Sequence, residues 1–431
     1  MSNLSIFSSR VLNVYLRIQF AVVAILLLGL AGFNYIVDPY GVYSPENSFN
    51  FSKDKTEFFL KEPVIKPYRV SEMQPDTLIL GLSGAGLGYD ENHPYFSDKS
   101  TYNFSMAGAS MYMIYRAFQH AAMESNVKRV FLDLSIVAFN EYHAFAVRND
   151  ENAIGAIFEG LIVANEDGSR NWLAIFSKIT QIPQYLLSSQ ATKDSLSTLR
   201  KQGAYDDWNL NSHGGWRGAT LPPGQSQGKR FRQVENYLVN GFFNDTTATH
   251  AFSIYREDGQ LSRAFDYYER FLDDAYRKNI EVTLVFSPSH VYMYEAMDFL
   301  GLGEMFIDWK RRVVMLNEKI ANRYGKTPFP VWDFAYYSEL TTEPVPARED
   351  NTTRMKWHFD PLHFTRVAGN QVLDQVYLGH DGAGIRMTAD NLDAVLELER
   401  QEKQKFHTEN VELISKLTAT FRLANKNVNI H

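Results

Sequence analysis

Five short apolar runs, each bounded by turn residues, punctuate the chain: "TLILGLS" (77–83), "TYNFSMAG" (101–108), "RVFLDLS" (129–135), "EVTLVFSP" (281–288) and "FPVWDF" (329–334). Between most of them lie segments with apolar residues at helical spacing, such as "SMYMIYRAFQHAAMES" and "SRAFDYYERFLDDAYRK". Runs that are apolar on both faces, alternating with amphipathic helices, predict a parallel β-sheet covered on both sides. Residues 140–258 break this alternation, with a helical stretch and a Gly/Trp-rich polar segment, and read as an insertion serving as a lid or partner surface. Residues 386–431 are charged, free of Pro and Gly, and predict one long amphipathic helix.

The first residues carry a different pattern. From Ile18 to Val37 about 20 residues run without a charge, the length a helix needs to cross a bilayer. Arg10 and Arg17 precede it, so the positive-inside rule places residues 1–17 in the cytoplasm and the bulk of the chain outside. A signal peptide cleaved near Ala31 and Gly32 is the alternative, but the apolar stretch is long for one and continues past that site. A buried core helix is a further alternative. Residues 38–76, broken by Pro and Gly, read as a stalk leading to the main domain.

Composition narrows the chemistry. The 431 residues are 45% hydrophobic and 14% aromatic, enough for a large core, and the net charge of −7 offers no basic face for nucleic acid. There is no cysteine, which excludes thiolate nucleophiles, disulfides and thiolate metal sites.

The glycine-rich end of the first run, "GLSGAGLG", poses the functional question. Its glycines do not fall at the offsets of a dinucleotide fingerprint or a P-loop, and no lysine follows to reach a phosphate. A serine at the carboxyl end of a parallel strand is instead placed to act as a nucleophile, given a base and a group to orient it. "HFDPLHF" near the C-terminus supplies both residue types: Asp360 and His363, three residues apart across a proline. The competing reading makes Asp360 a turn residue and His363 an ordinary surface or core histidine. His358, Asp360 and His363 match no metal-ligand spacing, so no metal is expected. His290, after the fourth run, is a candidate substrate contact or a structural residue. Trp208, Trp216 and Trp357, with Tyr205, are candidate sugar-stacking faces or ordinary core. "DWKRRV" (308–313) reads as a solvated helix face.

"ILGLSGAGLG", "YNFSMAGAS" and "DPLHF", in this order, resemble the first, second and fifth blocks of the SGNH, or GDSL-like, hydrolase superfamily. With the N-terminal anchor, "NYIVDPYG", "KRVFLDLSIVAFN", "SPSHVYMYEAM", "FIDWKRRV" and "VWDF", the chain resembles a bacterial group of membrane-anchored SGNH-like proteins over about residues 10–375. The resemblance implies a flavodoxin-like three-layer α/β sandwich with a five-stranded parallel sheet over 77–385. It makes Ser83 the nucleophile, His363 the base and Asp360 its orienting partner, with Ser83 and Gly108 forming an oxyanion hole. Where the family's third block supplies an asparagine, Asp133 stands here, and an ionised carboxylate cannot donate a hydrogen bond; Asn140 or Asn103 are candidate substitutes. The implied function is an inner-membrane, periplasm-facing serine esterase or O-acetyltransferase. It would need no cofactor, act on a cell-surface or secreted polysaccharide and work beside a membrane-bound O-acyltransferase. The alternative is a non-catalytic member that binds glycan or protein partners.

Overall fold

A computed structural model describes residues 2–43, 50–52, 55, 57, 61–142, 153–203, 214–216, 221, 224–244 and 251–426; Tyr205 and Trp208 lie outside them. The chain opens with helix α1 (Ser2–Val37), in which Arg10–Val37 is long and apolar enough to cross a membrane, 28 residues rather than the 20 expected. Within the segment expected to be a stalk, Glu62–Met73 forms helix α2, with proline in its first turn where a missing N–H costs nothing. It packs into the domain, burying Val64, Ile65, Lys66 and Val70.

The sheet and its first helices follow: β1 (Thr77–Leu80), α3 (Ser83–Gly88), β2 (Thr101–Asn103), α4 (Met111–Glu124) and β3 (Arg129–Leu134). The insertion supplies α5 (Ala153–Leu161), α6 (Leu173–Leu186), α7 (Ser189–Arg200) and α8 (Gln227–Tyr237). Then come α9 (Arg263–Arg277), β4 (Glu281–Phe286), α10 (Val291–Phe299), α11 (Gly303–Arg323) and β5 (Val331–Asp333). The last stretch holds β6 (His358–Asp360), β7 (His363–Phe364), α12 (Arg366–Leu373), β8 (Ile385–Met387), α13 (Leu392–Glu409) and α14 (Val411–Lys426).

All five apolar runs form strands, in the order β2-β1-β3-β4-β5, all parallel. This 2-1-3-4-5 order is that of doubly wound sheets with a switch point between β1 and β3. Successive residues of each strand enter different cores: Leu78, Leu80, Val130 and Leu132 pack with α4 and α9, whereas Ile79 and Phe131 pack with α3 and α12. Burial on both faces explains why these strands read as continuous apolar runs.

Two C-terminal expectations are corrected. A sixth strand, β8, adds to β5 in antiparallel register, Val331 opposite Met387 and Asp333 opposite Ile385. Three residues are too few to print an alternation in the sequence. The single long helix is two, α13 and α14, broken at Asn410, whose side-chain amide bonds back to Phe406 O at 2.9 Å.

The "solvated" run 308–313 is corrected as well. Trp309 is buried, and Lys310 is wholly buried, donating to Asp333 Oδ2 (2.7 Å), Glu399 Oε2 (2.7 Å) and Ala335 O (2.8 Å). This ammonium ties α11, the end of β5 and α13 together. Removing it leaves two buried carboxylates without their cation, so Lys310→Met is predicted to lower stability by about 3–5 kcal/mol. The urea midpoint reads this, and replacing Asp333 and Glu399 by leucine in the same chain is predicted to recover most of the loss.

Candidate active site

The carboxyl ends of β1, β2 and β3 meet at a cavity of about 290 Å³. Ser83 opens α3 directly after β1, so its N–H belongs to the first turn, where helical N–H groups have no intrahelical partner. The glycines around it serve packing more than turning. A Cβ on Gly81 would lie 2.8 Å from the Cβ atoms of both Ala85 and Asp133. A Cβ on Gly88 would lie 1.9 Å from the ring of Phe364, the neighbour of His363. A helix so rich in glycine has little intrinsic propensity and stands because the hairpin β6–β7 packs on it.

That hairpin delivers the histidine. His363 Nε2 lies 2.9 Å from Ser83 Oγ, and Nδ1 lies 2.8 Å from Asp360 Oδ1. With a carboxylate on Nδ1, the network assigns the proton to Nδ1 and leaves the Nε2 lone pair facing the serine hydroxyl. The same Asp360 Oδ1 accepts the backbone N–H groups of Leu362 (3.0 Å) and His363 (3.1 Å), fixing the two-residue turn. Oδ2 accepts Arg230 Nη2 (2.9 Å) and Nε (3.2 Å). Burial by itself raises the Asp360 carboxyl, but the His363 ring and the Arg230 guanidinium outweigh it and hold its pKa down at about 2.

Arg230 comes from α8 and was not anticipated, because nothing local in the insertion announces a partner 130 residues away. Gln227, one turn before it, donates to His358 O (2.5 Å) and accepts from Met355 N (2.8 Å), clamping β6. A second unanticipated pair lies in α2. Glu62 and Lys66 form a buried ion pair at 2.7 Å; Glu62 accepts from Ala107 N (2.9 Å), and Lys66 bonds to Ser105 O. They hold the loop after β2, where Gly108 takes the left-handed conformation (φ +63°) and lines the cavity. The readable signals for this helix were the first-turn proline and the Glu–Lys spacing of four.

Other expected residues lie elsewhere. Asn140 does not line the cavity; its Oδ1 accepts from Tyr142 N and from Ser253 N, at 3.3 and 3.0 Å. Asn103 donates to Ala85 O (3.1 Å) and accepts from Ser105 N (3.1 Å), tying the Gly108 loop to α3. His290 is buried, donates Nε2–H to Glu343 O (2.8 Å) and caps α10 through Nδ1, so it supports the wall instead of facing a substrate. Its backbone N–H also bonds to Pro361 O (3.1 Å), steadying the Asp360–His363 turn. Trp216 is fully buried against Gly86 and Leu87, and Trp357 packs beneath Lys356; neither lines the cavity.

Asp133 does line it, at the end of β3. Burial pushes its pKa up to about 7, a hydrogen bond to Ser287 offsetting this only in part. Its Oδ1 has no protein partner among the described residues. The remaining walls are mostly apolar, including Leu134, Ile136, Phe242, Met293, Phe306 and Trp309, with Ser135, Ser287 and Ser289 among them. No group of metal-ligating side chains occurs among the described residues.

Comparison with known proteins finds no family model that matches the chain and no curated protein that matches it. The chain is thus defined by its class, an α/β protein with a mostly parallel six-stranded sheet and an N-terminal apolar helix.

Arg230→Met removes two donors from the buried Asp360 carboxylate and is predicted to lower stability at pH 7 by about 1.5–3 kcal/mol. Because the folded pKa of Asp360 is depressed, this stabilisation is present above the ordinary value of 3.8 and is lost as pH falls toward about 2. Denaturation midpoints of the two proteins are therefore expected to converge through that window.

Proposed function

We propose that the chain is a membrane-anchored serine acyl esterase or O-acyltransferase of the SGNH type, facing the periplasm of a bacterium and acting on a cell-surface or secreted polysaccharide. The observation that carries the reading is the unbroken hydrogen-bonded series Ser83–His363–Asp360 at the mouth of a largely apolar cavity. The 2-1-3-4-5 parallel order supports the SGNH assignment, with β8 as an addition to its five strands. The polysaccharide, and a membrane-bound acyltransferase as partner, come from the sequence resemblance; the apolar walls favour the acyl group as the part of the substrate nearest Ser83.

In this reading Ser83 Oγ attacks the ester carbonyl while His363 Nε2 takes its proton, and Asp360 stabilises the imidazolium. The tetrahedral oxyanion receives the N–H groups of Ser83 and Gly108. As the intermediate collapses, His363 returns the proton to the departing alkoxide, leaving an acyl-serine. Water or a sugar hydroxyl then attacks that ester, giving hydrolysis or transfer.

Asp133 completes the oxyanion site in its neutral form. A carboxylic acid kept protonated by burial can donate a hydrogen bond, as the family's asparagine amide would. Below about 7 the proton is present; above it the carboxylate repels the oxyanion, the one feature that favours the non-catalytic alternative.

Ser83→Ala is predicted to lower kcat/KM for a p-nitrophenyl ester by about 10³-fold or more, and unchanged hydrolysis and polymer acetylation would sink the proposal. Asp133→Leu is predicted to cost about 10²-fold in kcat at pH 6. Wild-type kcat should fall as pH rises through about 7, whereas Asp133→Asn should retain activity and lose that alkaline fall. An asparagine variant as inactive as the leucine variant at every pH would refute the role of Asp133.

A further inference from the structure

Outside α1, the exposed apolar side chains of the described residues concentrate on the α6 segment. Trp172, Leu173 and Phe176 are 67%, 71% and 65% exposed, and Ile175, Ile179 and Ile182 are also exposed. Positions 172, 175, 176, 179 and 182 recur at intervals of three to four and form one stripe, while Ala174, Gln181 and Tyr185 on the opposite side are buried. A contiguous apolar stripe of this kind is rare on a water-facing surface.

Its place in the fold says what covers it. α1 packs on α6 and α7 through its last turns. There Asn34, 1% exposed, donates to Leu186 O at the C-terminus of α6 (2.8 Å) and to Thr192 Oγ1 on α7 (3.1 Å), and accepts from Ser195 Oγ (2.8 Å). Tyr40, just past α1, bonds to Asp194 of α7 at 2.5 Å. These contacts lock the end of the apolar span to α6, which sets α6 at the depth where the span leaves the hydrocarbon. An amphipathic helix at that depth lies with its apolar face in the boundary between headgroups and acyl chains. Trp172, with the Arg170 guanidinium 5.2 Å from its ring, is the residue type that favours this boundary.

We propose that α6 is a second membrane contact: its apolar stripe lies in the lipid of the leaflet that α1 leaves, holding the domain against the bilayer in one orientation. This rests on the anchored reading of α1 and is independent of the chemistry at Ser83.

The absence of cysteine makes the test direct. Single variants Ile175→Cys and Ile179→Cys, with Ile25→Cys in α1 and Met315→Cys on the exposed side of α11, are labelled with an environment-sensitive dye. The full-length chains are placed in nanodiscs of phosphatidylethanolamine and phosphatidylglycerol, and circular dichroism checks each fold. Dyes at 175 and 179 are expected to emit at shorter wavelength than the dye at 315 and to be quenched by lipids spin-labelled near the top of the acyl chain. The dye at 25 should be quenched by a deeper label. Emission at 175 and 179 matching that at 315, while position 25 stays in lipid, overturns the proposal. So does blue-shifted emission that no lipid label quenches, which marks a protein partner on the stripe. An aqueous signal at position 25 overturns the span and the docking together.

Discussion

The buried carboxylate of Asp360 is the constraint on which the site depends. A charge with no exposure must be matched by donors from the protein, since leaving it unpaired costs several kcal/mol. Its two oxygens recruit those donors from separate parts of the chain: the hairpin's own backbone, the His363 ring and the guanidinium of Arg230. Satisfying one charge thereby folds the turn, sets the histidine tautomer and binds the insertion to the sheet edge. The insertion is thus a structural part of the site as well as a wall of the cavity, to which it contributes Tyr237 and Phe242.

The second constraint is steric. α3 and the C-terminal elements approach so closely that side chains are excluded between them: a Cβ on Gly369 of α12 would lie 1.9 Å from Gly88 O, as close as the one on Gly88 would lie to Phe364. Gly88 and Gly369 thereby leave room for the β6–β7 hairpin and α12 to pack directly on α3. They let His363 reach Ser83 across 280 residues of sequence. The Glu62–Lys66 pair performs the corresponding task on the other flank, holding the carbonyl of Ser105 and the N–H of Ala107 so that Gly108 faces the cavity.

Much of this was legible in the sequence, for identifiable reasons. The five parallel strands announce themselves because both faces are buried and most of their positions are apolar, whereas Asp360 and His363, which by themselves read equally as a turn residue and an ordinary histidine, were singled out with Ser83 by the family resemblance. Residue type alone misled where burial decides: His290 and Trp216 are the kinds of side chain that contact substrates, yet both are enclosed. Asn140 has the right amide, but its oxygen is occupied by backbone N–H groups at the two ends of the insertion, Tyr142 and Ser253. Lys310 sat in a run of charges and gave no sign that Asp333 and Glu399 would enclose it. Arg230 left no trace, because an ion pair between distant segments imposes no periodicity on either.

Asp133 joins the structural account to the functional one. No lysine or arginine occurs among the described residues that line the cavity, and burial dominates the titration of Asp133, so the residue that argued against an oxyanion site becomes a candidate donor within it. The central claim, that Ser83 is an activated nucleophile, is tested most directly by reaction with a serine-directed fluorophosphonate at pH 6 followed by peptide mapping. The account predicts one covalent adduct, on Ser83, that is absent from the Ser83→Ala chain and strongly slowed in His363→Ala. An intact, folded protein that forms no adduct at Ser83, or forms it equally fast without His363, would contradict it.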